Sequence, residues 1–492
     1  MIRPLSVFSL SLSEVADLVG LEIATDLEIT GVTNKDSEVI PGDLFLAMPG
    51  AKVHGASFAE SALQKGAVAV LTDAQGASMV TSAPVLIVAD VRSSGALIAS
   101  ALYKDPTRDL NSIGITGTNG KTTVTTLLYQ IFQAAGRESG LIGTVDTRIG
   151  SDILPSTRTT PEAADLQALS AAMRERHMRH LVMEVSSHSI SLKRIKGSHF
   201  AIVGFTNLSQ DHLDFHGDMK SYFEAKASLF TFEYADCAYI NIDSDYGKAL
   251  SSKCDIPVVT ISRLDKGATW YFSDLHSSLT GTRISIRGAE GILIESTTKL
   301  FGAYNLDNLL MAVAIAHASG VDPVELATII PTLTGAPGRL EPIFIGQDFT
   351  ALVDYAHSPD AVANVLAAAR DFTTGKVIAV LGCGGDRDKS KRPLMGSALL
   401  QGSDIAIFTS DNPRSENPTQ ILGDMTDGLT LSEDSRVISD RYEAISYAVS
   451  QAAAGDTVLI LGKGHESGQE VNGVVTPFDD RLQLARAIEG RR

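Results

Sequence analysis

Cysteine is scarce in this chain, with three thiols (Cys237, Cys254 and Cys383) among 492 residues. An odd count without metal-like spacing gives no disulfide framework, and the usage points to a reducing, cytoplasmic compartment. Basic charge is also short. Lys and Arg number 41 against 58 Asp and Glu, a net charge of −17. Such a balance argues against nonspecific binding to nucleic acid or to an anionic membrane. An anionic substrate must then be met by local basic residues and helix ends. No uninterrupted apolar run is long enough to span a bilayer. The N-terminal stretch acquires Glu14 and Asp17 early and has no cleavage pattern, so no signal peptide is read there. Internal repeats and low-complexity tracts are absent. What is present is ordinary globular composition, 44% apolar and 20% charged, in a chain long enough for about three domains.

The expected class is α/β in three domains, residues 1–105, 106–336 and 337–492. In the first, a helix over Ser13–Val19, a strand over Asp43–Met48, a helix over Ala59–Lys65 and a strand over Ala67–Leu71 are predicted. In the second, apolar strands at 181–183, 201–205 and 238–240 alternate with helical stretches at 162–176 and 219–229. That alternation implies a mostly parallel sheet with helices on both faces and ligands at the carboxyl ends of its strands. Residues 269–299 read as antiparallel ribbons. The turn-rich segment Leu333–Arg339 marks the second boundary. Beyond it, strands at 376–382, 404–409 and 457–462 each end in a polar or glycine-rich loop.

The stretch from Ser112 to Gln133 organises the rest. An apolar run leads into Gly117-Thr118-Asn119-Gly120-Lys121-Thr122-Thr123 and then into an amphipathic segment. Strand, phosphate loop and helix follow from that order. The two glycines let backbone N–H groups approach a polyphosphate, and the helix aims its positive end at the same anion. Lys121 is placed to reach the β- and γ-phosphates of such a group, and the Thr122 hydroxyl to ligate Mg²⁺. The loop is shorter than the common G-x-x-x-x-G-K-[ST], whose first glycine would fall on Ile115.

Glu184 ends an apolar strand, where a carboxylate either faces the phosphate loop and holds magnesium or is a plain surface group. The run Asp211-His212-Leu213-Asp214-Phe215-His216 packs two histidines and two aspartates into six positions; zinc lacks paired thiolates here, so His212 is read near a second magnesium or as a loop residue bonded to backbone. Lys226 sits among apolar neighbours in a helix, and spacing alone does not separate it from a surface lysine. Asp354 is placed to bond a ribose hydroxyl. The glycine turn 382–385 runs into dense basic charge through Arg387 to Arg392, read as an anion site at a strand end. Asp411-Asn412-Pro413-Arg414 and Gly462-Lys463-Gly464-His465-Glu466 end the next strands in the same manner.

In this order these motifs, together with Gly302–Asn308 and Gly338-Arg339-Leu340-Glu341, resemble the Mur ligase family of peptidoglycan synthesis over nearly the whole chain. The resemblance implies a central P-loop, ATPase-like parallel-sheet domain, a C-terminal Rossmann-like domain and a small N-terminal α/β domain that binds a UDP-sugar. It implies that residues 117–123 bind ATP, with Asn308, Arg339 and Asp354 as further nucleotide contacts. It places Thr122, Glu184 and His212 around magnesium and makes Lys226 the lysine carried as a carbamate. Ser37, Asn119, Thr159, Thr160, Ser186 and Arg194 look like contacts to a UDP-N-acetylmuramoyl-dipeptide. Arg387, Asp411, Asn412, Pro413, Arg414, Gly462 and Glu466 look like the amino-acid site. Two positions depart: Asp36-Ser37-Glu38 stands where relatives often have Asp-Ser-Arg, and Leu192 where some have glutamine.

The implied activity is ATP-dependent amide ligation through an acyl phosphate on the D-glutamate of the dipeptide, with a diamino acid as the incoming amine. Arg414 favours meso-diaminopimelate, whose distal carboxylate a guanidinium binds in two places, over L-lysine, which lacks that group. L-Lysine as the added amino acid is one alternative; a non-catalytic nucleotide-dependent regulator is another. A monomer with no nucleic-acid or membrane partner is expected.

Overall fold

Two-sided burial explains why so many segments read as unbroken apolar runs. A computed structural model describes residues 2–23, 25, 27–50, 52–278 and 281–491. The chain forms two units, residues 1–272, 286–293 and 308–329 in one and residues 273–285, 294–307 and 330–492 in the other.

The first unit holds two parallel-rich sheets. The smaller pairs Gly31–Thr33, Asp43–Ala47, Ala69–Thr72 and Val85–Ile87 in chain order, all parallel. In the larger, Ser139–Ile142, His180–Glu184, Asn111–Thr116, Phe200–Phe205, Ala235–Asn241 and Val258–Ser262 lie side by side in that order and parallel. Asn111–Thr116 therefore sits between a strand whose chain continues to one side and a strand whose chain continues to the other. That is a topological switch point, where the loops leaving neighbouring strands diverge and open a crevice. The phosphate loop leaves Thr116 at this place.

The mostly parallel sheet that was expected turns antiparallel at one edge. Ser139–Ile142 pairs antiparallel with Asp146–Ile149, which pairs antiparallel with Asp152–Pro155. Between the last two strands Gly150 adopts a φ of +62°, and the short turn it permits returns the chain as a hairpin. Strands at Trp270–Ser278, Gly281–Arg287 and Leu293–Thr298 stand next to one another in chain order, where ribbons were expected; Leu279 and Thr280 lie outside the described residues.

The second unit carries the sheet Glu341–Pro342, Thr350–Asp354, Thr457–Leu461, Val377–Cys383, Ile405–Ser410 and Arg436–Val437, parallel except for its first edge. Alternate residues face opposite cores. Leu381 and Phe408 pack with Val365, Leu399 and Ile421 from helices Pro359–Phe372, Lys391–Gly402 and Pro418–Thr426. Ile378 and Ile460 pack with Ile445 and Leu484 from helices Arg441–Gln451 and Asp480–Arg491. Each such fully buried side chain contributes roughly 1.5–3 kcal/mol of transfer free energy, and both faces must be covered for the parallel strands to persist. Four strands of this sheet deliver Asp354, Gly462, Gly384 and Asp411 to the same edge, at their carboxyl ends.

Helices predicted from spacing occur at Leu12–Leu18, Ala59–Gln64, Ala163–Glu175 and Met219–Ala227, and all the predicted strands form, with ends moved by up to three residues. Among the described residues no helix is long and apolar enough to cross a membrane. All three cysteines are free.

Candidate active site

In the first unit, the loop after Thr116 is held closely from behind. Gly117 has a φ of +149°, and a Cβ there would sit 1.9 Å from the Thr206 hydroxyl; a Cβ on Gly120, at φ +87°, would sit 2.4 Å from Oδ1 of Asn308. Only glycine fits either place. The Thr118 amide donates to the Asn207 carbonyl at 2.9 Å, and the Asn119 amide to Asn207 Oδ1 at 3.0 Å. Helix Lys121–Ala134 then begins with no side-chain cap, and Thr123 is buried in its first turn. Amides at such a helix start are the donors an anion meets.

Two lysines converge on this loop. Lys121 Nζ donates to the carbonyls of Gly117 and Thr118, both at 2.9 Å. Lys226 Nζ donates to the same Gly117 carbonyl at 2.8 Å and lies 4.7 Å from the Tyr222 ring centre. Lys226 is 1% exposed. Burial, with the nearby Lys121 charge as the next cause, holds its pKa well below the ordinary lysine value. Spacing could not separate this residue from a surface lysine; the structure shows it buried.

Glu184 ends its strand beside the loop. It accepts from the Thr122 hydroxyl at 3.0 Å, from the Thr144 amide at 2.7 Å and from the Thr144 hydroxyl at 3.1 Å. The Thr144 hydroxyl lies 3.0 Å from that of Thr159. Thr160 donates to the Glu184 carbonyl at 2.8 Å and accepts the Ser186 amide at 3.1 Å. Arg194 stands near, its Nε 3.0 Å from Glu162. Glu162 also meets Arg92 at 2.7 Å and pairs with Arg158. Neither Thr144 nor Glu162 was singled out from sequence; no local pattern marks a residue whose partners lie on other elements.

His212 occupies a left-handed turn, φ +52°, and its ring meets His188 edge-on at 4.7 Å. His188 also lies 5.6 Å from His216. Burial, the largest cause in each case, lowers the pKa of all three imidazoles. Among the described residues no group of three His, Cys, Asp or Glu side chains is arranged to hold a metal ion by itself. The oxygen donors of Thr122 and Glu184 suit a hard cation that takes its remaining ligands from phosphate and water. Ser37 is exposed in a short 3₁₀ turn at Asp36–Glu38. Asp36 there accepts from Ser61 and Lys65, and Glu38 pairs with Lys35 at 3.0 Å.

In the second unit, the Asp354 carboxylate accepts the amides of Leu340 at 2.7 Å and Ala356 at 2.8 Å; burial raises its pKa. Arg339 lies over the Tyr355 ring at 4.8 Å. Gly462 must be glycine, since a Cβ would come 2.7 Å from Asp411 Oδ2. Asn412 donates to Glu466 at 2.8 Å and accepts from Lys463 Nζ at 3.1 Å. Lys463, part of the Gly462–Glu466 motif but given no role of its own from sequence, is fully buried and also donates to Glu466 at 3.3 Å and to the Gly468 carbonyl at 2.6 Å. Arg414, at φ +51°, donates to the Gly385 carbonyl at 2.7 Å. A Cβ on Gly385 would sit 1.9 Å from the Pro413 carbonyl oxygen, and one on Gly384 3.8 Å from Cγ of Arg387, which is exposed.

A glycine-cradled anion loop at a switch point, and a charged cluster at the strand ends of a separate parallel sheet, define a phosphate-loop α/β enzyme. Comparison with known proteins narrows the class. The Mur ligase middle domain family matches residues 115–316, the Mur ligase, glutamate ligase domain family residues 338–464, and the Mur ligase family, catalytic domain, residues 28–101. The chain belongs to the Mur ligase family. It is 45% identical to the UDP-N-acetylmuramoyl-L-alanyl-D-glutamate–2,6-diaminopimelate ligase of Streptomyces coelicolor, over 99% of this chain and 98% of that one. The protein of the same name from Corynebacterium glutamicum is 43% identical over 92% of this chain and 90% of its own. A solved structure of a ligase with that name superposes with a TM-score of 0.73 at 34% identity, covering 98% of this chain and 99% of that chain. The MurF ligase of Thermotoga maritima in complex with ADP shares the fold, with a TM-score of 0.62 at 18% identity over 94% of this chain and 97% of its own.

Proposed function

We propose that this protein is an ATP-dependent ligase that joins meso-diaminopimelate to the D-glutamate of UDP-N-acetylmuramoyl-L-alanyl-D-glutamate, forming an amide in peptidoglycan precursor synthesis. The observation that carries the reading is the meeting of Lys121 and the buried Lys226 at one carbonyl of the phosphate loop. The names and identities of the relatives support it. The domains are taken as 1–105 for the UDP-sugar, 106–336 for ATP and 337–492 for the amino acid.

Loop residues 117–123 cradle the triphosphate by their amides, and Lys121 balances charge that builds on the γ-phosphate. Asn308, packed against Gly120, fixes the loop; Arg339 and Asp354 are the further nucleotide contacts. Thr122, Glu184, His212 and Lys226 would hold Mg²⁺, which supplies charge neutralisation on the phosphates. A neutral Lys226 amine can add to carbon dioxide, forming an N–C bond and releasing one proton, and so turn a cation into an oxygen ligand. Ser37, Asn119, Thr159, Thr160, Ser186 and Arg194 position the UDP-muramoyl-dipeptide. The side-chain carboxylate of its D-glutamate attacks the γ-phosphorus, ADP leaves, and the acyl phosphate carries the activated carbon. The neutral amine of the diamino acid, held by Arg387, Asp411–Arg414, Gly462 and Glu466, attacks that carbon. Phosphate leaves and the nitrogen loses its proton. Positioning three substrates supplies much of the acceleration.

The test is incubation with ATP, magnesium, the UDP-dipeptide and, separately, meso-diaminopimelate or L-lysine, read by product mass. Tripeptide with meso-diaminopimelate is expected. Folded protein that makes no tripeptide from either amino acid overturns the reading.

A further inference from the structure

The sequence Gly468-Gln469-Glu470-Val471-Asn472-Gly473-Val474-Val475-Thr476-Pro477 forms a hairpin, with Gly468–Val471 antiparallel to Val474–Pro477. Asn472 and Gly473 both take positive φ, 50° and 76°, the tight turn that an Asn-Gly pair favours. The first strand of the hairpin is stitched to the Asp411–Arg414 segment. The Arg414 amide donates to the Glu470 carbonyl at 3.0 Å and the Asn472 amide to the Arg414 carbonyl at 2.7 Å. The Glu470 amide donates to Asn412 Oδ1 at 2.9 Å. Gln469 Nε2 donates to the Asp411 carbonyl at 2.6 Å. With its backbone fixed in this way, Glu470 carries its carboxylate to 3.5 Å from Arg414 Nε, and it is 38% exposed on its side-chain surface, so it is open to a ligand.

A guanidinium alone reads a carboxylate. A guanidinium with a carboxylate fixed at its flank presents one charge of each sign, and the group that matches both is a zwitterion whose ammonium and carboxylate share one carbon. The distal end of meso-diaminopimelate is such a group. We infer that Glu470 is a specificity residue of the amino-acid site: it receives the distal ammonium of the diamino acid while Arg414 receives the distal carboxylate. The inference rests on the ligase reading above. It explains why the hairpin is bonded to the Asp411–Arg414 loop rather than free, because a charge pair selects only if both members are held in place.

The experiment compares meso-diaminopimelate with 2-aminopimelate, which keeps both carboxylates and the reacting amine but lacks the distal ammonium. Steady-state KM and kcat are measured for the wild type, Glu470→Gln and Glu470→Asp, with product mass as the readout. Loss of a charged partner to an ammonium is expected to raise KM for meso-diaminopimelate roughly tenfold or more in Glu470→Gln, with kcat little changed. KM for 2-aminopimelate stays at its wild-type value, and Glu470→Asp recovers part of the selectivity. An equal shift for both amino acids, or no shift for either, overturns the role of Glu470 and leaves the ligase reading standing. A wild type that makes no tripeptide removes both.

Discussion

Two buried lysines, one in each unit, differ in whether a carboxylate stands within hydrogen-bonding distance. Lys226 is 1% exposed and Lys463 is 0% exposed. Lys463 gives its protons to an amide oxygen, a main-chain carbonyl and the carboxylate of Glu466. Lys226 meets a main-chain carbonyl and an aromatic face, with the positive charge of Lys121 close by, and its pKa falls well below the ordinary value. Desolvation beside a like charge disfavours the ammonium, and the Asp211 carboxylate offsets only part of that. The first lysine is thus prepared for chemistry at its nitrogen, and the second for fixing its neighbours.

The comparison breaks most visibly at Lys226. Lys226→Ala is expected to lower turnover roughly 10²–10³-fold, the size of effect seen when one preorganised electrostatic contact is removed. Short carboxylic acids added to the assay should restore part of it by supplying the missing oxygen ligand. Wild-type-like activity in the variant would end the catalytic role.

Next in size is a charge pair of the second kind. Arg441 and Asp480 are both fully buried and joined at 2.6 and 2.7 Å, and Arg441 also donates to the carbonyls of Ser410 and Leu461. Arg441→Met leaves Asp480 without compensation and should cost about 3–5 kcal/mol of unfolding free energy, measured by denaturant titration. Lys463→Met should cost less, about 2 kcal/mol, because Glu466 is partly exposed and can regain water. It should also raise KM for the diamino acid, since Asn412 loses a group that orients it. A Lys463→Met protein as stable as wild type would erase the distinction between the two lysines.

Much of the first site was legible because its parts are contiguous. Gly117 to Thr123 sit between an apolar strand and an amphipathic helix, and glycine spacing reports close backbone approach directly. Glu184 was legible as a polar residue ending an apolar run. Thr144, Glu162 and Lys463 were not, because each acquires its partners from segments distant in sequence, Thr144 from Glu184 and Lys463 from Asn412. The edge hairpin at Asp146–Pro155 was missed although Gly150-Ser151 between short alternating runs is its signal; strands of four residues carry too little periodicity to stand out. Asp354, expected at a ribose hydroxyl, also accepts two main-chain amides of its own unit, a local use that a residue type in a motif does not reveal.

The smallest expected effect is the most diagnostic of the Lys226 environment. Its folded-state pKa lies below the ordinary 10.5, so between those two values the unfolded chain binds a proton that the native chain does not. Native stability then rises with pH across that window, and the destabilisation due to Lys226 fades as pH approaches the unfolded value. Lys226→Met, of similar length and without charge, removes this term. In buffers free of bicarbonate its melting temperature should exceed that of the wild type at about pH 7.5, and the gain should shrink by about pH 9.5. An advantage that is constant or grows with pH would mean that Lys226 keeps its proton in the folded protein. In that case Lys226 would no longer count as a site where stability is given up to keep an amine unprotonated at the phosphate loop.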